Sequence, residues 1–192
     1  MSILNAKSNL FIIQFPKGFF YPEVREKWEP IIQRLQTPYE TLEDYINANI
    51  QSISFPAINI DTVSQGQGMF KVHYRPGKEL NPIFERSLDI TFKLSESYYS
   101  YWIMFDQFEK YLQYNNDHPI YWPSIHLLFL DHHGFSNISF KMTLVVPTGL
   151  SALNLSYASI AAEFNSFTMN IRYNNFEIIY LPQGLNFSNE SA

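Results

Sequence analysis

The sequence has no cysteine, which excludes disulfides, thiolate nucleophiles and cysteine-held zinc or iron–sulfur centres. Charge is scarce as well. Asp, Glu, Lys and Arg make up 16% of the 192 residues, with 13 basic against 18 acidic side chains and a net charge of −5. Proteins that grip nucleic acid by its phosphates present a basic face, and this balance argues against one. Long apolar runs are missing too. Leu10 to Phe15 is interrupted by Gln14 and falls far short of the roughly 20 residues of a membrane span. Nothing reads as a secretory leader, so the expectation is a soluble protein made in a reducing cytoplasm. The Asn-x-Ser sequences at Asn137, Asn154, Asn186 and Asn189 then read as chance.

Aromatic residues are abundant, at 17% of the chain. Low charge combined with many aromatics suits a surface largely occupied by partners. The length suits one domain, residues 1–192, with a polar tail at 188–192 that frays.

The pattern along the chain predicts a first strand at Leu10–Phe15 and a helical stretch opened by Pro22, with Pro30 breaking or kinking it. A second short helix is expected to start at Thr37-Pro38, capped by Thr37 and Glu40, with Tyr39, Leu42, Tyr45 and Ile46 on its buried face. From Ala48 the period changes to two. Ser64–Gly68 reads as a turn or loop, Met69–Arg75 as a strand and Pro76-Gly77 as a turn. Arg86–Leu94 alternates cleanly, with Leu88, Ile90, Phe92 and Leu94 opposite Ser87, Asp89, Thr91 and Lys93. Ser95–Tyr114 reads as the main helix, capped by Ser95 or Ser97, with Tyr98, Trp102, Phe105, Phe108 and Leu112 as its core stripe. The remainder reads as strands, Tyr121–Leu130, Phe135–Val146, Ser159–Tyr173 and Phe176–Leu181. Their separators are His132-His133-Gly134, Pro147-Thr148-Gly149 and a hairpin turn at Asn174-Asn175.

Chemistry-bearing patterns are weak. His126, Asp131, His132 and His133 lie close in sequence, but a metal site needs three or four converging, supported ligands, and Asp131–Gly134 reads as a turn. Gly66-Gln67-Gly68 lacks the third glycine and the following helix of a nucleotide fingerprint. No serine stands in a nucleophile elbow, and Glu40, Glu43 and Asp44 read as solvated charges. No catalytic residue, cofactor or metal is therefore expected.

Four segments carry a resemblance: Phe55-Pro56-Ala57-Ile58-Asn59-Ile60, Tyr74-Arg75-Pro76-Gly77, Leu88-Asp89-Ile90-Thr91-Phe92-Lys93-Leu94 and Tyr98-Tyr99-Ser100-Tyr101-Trp102. In that order they resemble the tail tube proteins of contractile-tailed bacteriophages. The second half continues the likeness through Ile125–Asp131, Phe140–Leu155 and Glu163–Ile179, so it covers about Ala48 to Leu181. Two departures stand out: Ser95-Glu96-Ser97 replaces an Asp-Glu pair, and residues 19–46 form a helical insertion longer than a plain tube subunit needs. A specialised hub, baseplate or head-proximal position fits the second departure.

The resemblance implies a mainly β (α+β) fold, with two packed antiparallel sheets forming a sandwich or barrel and one long flanking helix. It implies a ring, six copies around a channel, stacked rings and passage of genomic DNA, in an architecture shared with type VI secretion tubes. The partners implied are the chain itself and adjacent tube, hub, baseplate or sheath proteins, with duplex DNA only as passing cargo, no membrane, and a place in the virion tail. The assembly candidates are Tyr99, Tyr101 and Tyr111, which fall off the helical stripe and would face a neighbour or lie half exposed. Gly66, Gly68 and Gly77 join them, in loops expected to order on stacking. The lumen candidates are Asp89, Thr91, Asn165 and Ser166, polar residues beside which few basic groups are expected. The rival reading is a carbohydrate-binding β-sandwich, suggested by the aromatics and asparagines.

Overall fold

Alternating apolar residues need a sheet with one covered face, and the two helically spaced stretches supply the cover. The computed structural model describes residues 10–35, 38–54, 63–67, 70–74, 86–113, 120–131, 133–153 and 165–180. In chain order the elements are β1 (Phe11–Gln14), α1 (Pro22–Arg34), α2 (Leu42–Ala48), β2 (Ile50–Ser54), β3 (Val63–Gln67), β4 (Phe70–Tyr74) and β5 (Ser87–Lys93). A 3₁₀ turn at Glu96–Tyr98 leads into α3 (Tyr99–Leu112), followed by β6 (Ile125–Leu130), β7 (Ser136–Leu150) and β8 (Ser166–Tyr180).

The protein is mainly β. Six strands form one antiparallel sheet in the order β1-β6-β7-β8-β5-β2, nearly closed into a barrel, while β3 and β4 pair as a separate hairpin. A groove lined by Phe11–Ile13 and Ile50–Ile53 runs between the two edge strands β1 and β2. The core lies between the walls: Ile13 and Leu127 on β1 and β6, Phe140, Met142 and Val145 on β7, Phe167 to Tyr173 on β8, and Leu88, Ile90 and Phe92 on β5. Phe92 and Phe167 stack with centroids 5.1 Å apart.

β7 and β8 are each 15 residues long, and both bend at the same level. On β8 the buried set Phe167, Met169, Ile171, Tyr173 is followed by exposed Asn174 and Asn175 before Phe176 turns inward again. On β7 the buried set passes from Phe140 and Met142 to Val145 and Pro147, across exposed Leu144 at φ 54°. Each strand thus takes two residues, not one, to return to the core face. One ribbon thereby supplies both walls. Asn174-Asn175 is not a hairpin turn: the ladder runs through it, pairing Thr143 with Asn175 and Val145 with Tyr173. The same ribbon absorbs Pro147-Thr148-Gly149 as a register shift instead of a strand end.

Three further expectations change. Ser64–Gln67 lies in β3, with Gly66 opposite Lys71, not in a turn; Gly68 and Gly77 lie outside the described residues. The second helix starts at Leu42, where Thr41 is the cap and accepts from the Asp44 N–H at 3.2 Å; Thr37 lies outside the described residues. Helix α1 continues through Pro30. One lost hydrogen bond on its exposed side is offset by burial of Val24, Trp28 and Ile32.

Buried polar side chains fasten the N-terminal helical segment. On α3, Gln107 donates through Nε2 to the Phe19 carbonyl (3.0 Å) and accepts at Oε1 from the Tyr21 N–H (3.1 Å). On α2, buried Glu43 accepts from the Gly18 N–H (2.9 Å) and pairs with Arg25. Asp106 receives both Lys27 Nζ (2.5 Å) and Trp28 Nε1 (2.6 Å).

Candidate assembly surfaces

Helix α3 positions the aromatic candidates. It starts after two residues with left-handed φ, Ser97 (55°) and Tyr98 (59°). Neither serine caps it in the ordinary way, but Ser95 Oγ accepts from the Ser100 N–H at 3.0 Å, and Ser100 Oγ donates back to the Lys93 carbonyl at 3.0 Å. The sharp turn rotates the helix relative to the expected stripe. Ser100, Ile103, Met104 and Gln107 face the core. Trp102 and Phe105, read from the sequence as core, are 43% and 42% exposed, and Leu112 is 75% exposed. Tyr98 and Phe108 are half-buried, with Phe108 against Trp122 at 5.2 Å.

The three tyrosines off the stripe are half-buried against the core. Tyr99 meets Trp28 edge-on at 6.0 Å, and Tyr101 meets Phe167 at 5.4 Å. Tyr111 lies 5.9 Å from Trp122 and donates its hydroxyl to the Ile120 carbonyl at 3.0 Å. Burial raises the Tyr111 pKa above the ordinary phenol value, with Tyr121 adding to the effect. The exposed aromatics that sequence reasoning missed are Trp102 and Phe105. Their signal was the count of aromatics, more than one helix face can bury.

The polar face of β2, β5 and β8 is a second surface. Register places Ser54, Asp89 and Asn170 in one row and Ser52, Thr91 and Thr168 in the next, with Lys93 opposite Ser166 and Ser87 opposite Arg172. Asn170 Nδ2 donates to Asp89 Oδ1 at 2.5 Å, and the Thr91 and Thr168 hydroxyls lie 3.4 Å apart. Asn165 precedes the strand, exposed, and its carbonyl accepts from the Leu94 N–H. The structure thus brings Asp89, Thr91 and Ser166 onto one hydroxyl- and amide-rich face, with Asn165 at its end. Asp89, Lys93 and Arg172 are the charged members of these rows.

The histidine group does not converge. Asp131 is spent on its own turn, accepting from the His133 and Phe135 N–H groups at 2.8 and 2.9 Å, bonds that lower its pKa, the Phe135 bond most. His126 is half-buried on β6, its pKa lowered by burial and then by Lys141. His132 lies outside the described residues. Among the described residues no group of three or more His, Asp or Glu is placed to hold a metal. No described helix is long and apolar enough to cross a membrane.

The architecture defines a tube-like β fold, and comparison with solved structures agrees. A chain of the 6-fold symmetrised baseplate of the anti-feeding prophage superposes with a TM-score of 0.50 at 14% identity, covering 94% of this chain and 98% of that one. Two weaker matches are a chain of the anti-feeding prophage cap (TM-score 0.48, 12% identity, 94% and 95% covered) and one of the sheath–tube complex of an extracellular contractile injection system (0.46, 12%, 92% and 93%). At this identity the baseplate match shows the fold. No protein-family model and no curated protein matches the sequence.

Proposed function

We propose that the chain is a structural subunit of a tail tube or tube-like hub that assembles as a ring around a channel. The observation that carries this reading is the aromatic outer face of α3, where Trp102 and Phe105 stand exposed against each other. The shared fold supports the same reading, because the baseplate relative is named as part of a sixfold particle. Six copies per ring is the stoichiometry proposed.

In this reading Tyr99, Tyr101 and Tyr111 support an outer aromatic surface whose exposed members, Trp102 and Phe105, meet a neighbour. Gly66, Gly68 and Gly77 belong to segments that contact the next ring. The β2-β5-β8 face, with Asp89, Thr91 and Ser166, lines the channel, and Asn165 sits at its rim. The rows of this face are mostly hydroxyl and amide groups, with Asp89 set against Lys93 and Arg172, a net of one positive charge per subunit; phosphates slide only where basic charge stays this low, since each further basic side chain is multiplied around a ring as a salt-dependent attraction. The role is structural, with no catalytic step, in a phage tail or a related injection particle. The rings bind adjacent tube, baseplate or sheath proteins.

Mass photometry and electron microscopy of the purified protein test the proposal, with and without other tail proteins. Rings are the expected result. A stable monomer under all these conditions, especially one that binds glycans, overturns it.

A further inference from the structure

An exposed aromatic side chain that moves freely loses that freedom when a partner covers it, so what holds it beforehand bears on affinity. Trp102 and Phe105 are neighbours on the outer face of α3, and their rings meet at 5.7 Å. Two exposed rings in contact do not fix each other, because each can move with the other. Tyr101 supplies the tie. Its ring meets Trp102 edge-on at 5.5 Å and lies within 25° of parallel to Phe105 at 6.4 Å. The same ring stands edge-on to Phe167 of β8 at 5.4 Å. Phe167 is buried and stacks on Phe92, its ladder partner on β5. All of these are favourable ring geometries.

A run of rings therefore passes from the paired strands β5 and β8, through Tyr101, to the outer face. Among the described residues the ring contacts of Trp102 and Phe105 are with each other and with Tyr101. Tyr101 itself is half-buried, packed against the core on one side and carrying the exposed pair on the other. We infer that Tyr101 is a positioning residue for assembly. It holds Trp102 and Phe105 in one arrangement in the free subunit, so a second copy of the chain meets a surface that is already ordered. Rigid aromatic anchors bind at low entropic cost for this reason. The inference rests on the assembly reading above, in which that pair meets a neighbour. A residue that worked by touching the neighbour would leave the mobility of Trp102 in the free subunit unchanged, and the two roles separate on that point.

Tryptophan fluorescence reads that mobility directly. Of the three tryptophans, Trp28 and Trp122 are buried and Trp102 is exposed, so the emission that acrylamide quenches belongs to Trp102. In dilute wild-type subunits its anisotropy should decay with the tumbling of the whole protein. Tyr101→Ala should add a fast local decay and raise the concentration needed for ring assembly about tenfold, the cost of ordering two side chains on binding. Tyr101→Leu keeps apolar bulk against Phe167 but offers the pair no ring. It should show the same two changes with a thermal midpoint close to wild type, and it carries the test where the alanine variant fails to fold. Tyr101→Phe should match wild type in both readouts. A Trp102 no freer in the alanine and leucine variants, assembly of either at the wild-type concentration, or Tyr101→Phe behaving as Tyr101→Leu does, overturns the inference alone. Wild-type protein that stays monomeric under every condition overturns the assembly reading, and this inference falls with it.

Discussion

The inner face of α3 carries Ser100, Ile103, Met104 and Gln107; its outer face carries Trp102, Phe105 and Leu112. Ordinary amphipathicity would put the aromatics inside and the polar groups outside. The inner polar groups are there because backbone groups of other segments need them. Gln107 satisfies Phe19 and Tyr21, and Ser100 joins the end of β5 to the start of the helix. Among the described residues the outer aromatics meet one another and Tyr101. One face of the helix serves the fold, and the other is left for assembly.

The sharpest way to break that contrast is on the inner face. Gln107→Ala leaves a carbonyl and an N–H buried without partners and should destabilise the protein by about 3 kcal/mol in urea unfolding. Glu43→Ala acts on the same helical segment from α2. It strips Gly18 of its acceptor and takes from Arg25 the nearer of two carboxylates, Glu29 remaining, and should lower stability by about 2 kcal/mol, less than a fully buried pair because Arg25 is partly exposed.

On the outer face, Trp102→Ser with Phe105→Ser should change stability by about 1 kcal/mol or less, yet abolish rings in electron micrographs. Rings that persist would show that this surface is not an interface. On the polar sheet face, Asp89→Lys with Thr91→Lys should leave rings intact and create duplex-DNA binding, with a steep salt slope that wild type lacks. Filter binding across a salt series reads this directly.

The smallest expected effect is at His126. Its folded pKa lies below the ordinary 6.5 because burial, and then Lys141 beside it, disfavour the imidazolium. The native state therefore binds fewer protons than the unfolded chain. The stabilisation is fully present above pH 6.5 and falls as pH drops through that value toward the folded pKa. His126→Gln should flatten this part of the stability profile, as read from thermal midpoints between pH 7 and pH 5.

Much of the fold was legible. The alternation in Arg86–Leu94 marks β5 with the right residues inside, and Leu42, Tyr45 and Ile46 are buried as their spacing implies. The aromatic surface was legible only in outline. Spacing fixes which residues share a face of α3, but the turn at Ser97 and Tyr98 sets which face turns inward. Positive φ at serine and tyrosine leaves no composition signal of the kind glycine does.

The β7–β8 ribbon went unread for a related reason. Asn174-Asn175 has the residue types of a hairpin turn, and local chemistry alone favours one. Two strands of fifteen residues, paired with each other on both sides of the bend and flanked by β6 and β5, override it.

Composition and periodicity by themselves determined a mainly β chain with two helical stretches, without thiol chemistry and with more aromatic surface than one core can use. Those are sums and short-range patterns, carried by each residue wherever it ends up. Tertiary structure alone decided which aromatics stay outside, which buried amide clamps which backbone, and where a leucine accepts a left-handed bend. Each depends on groups far apart in the chain, as Gln107 and Phe19 are, and no local window contains both partners.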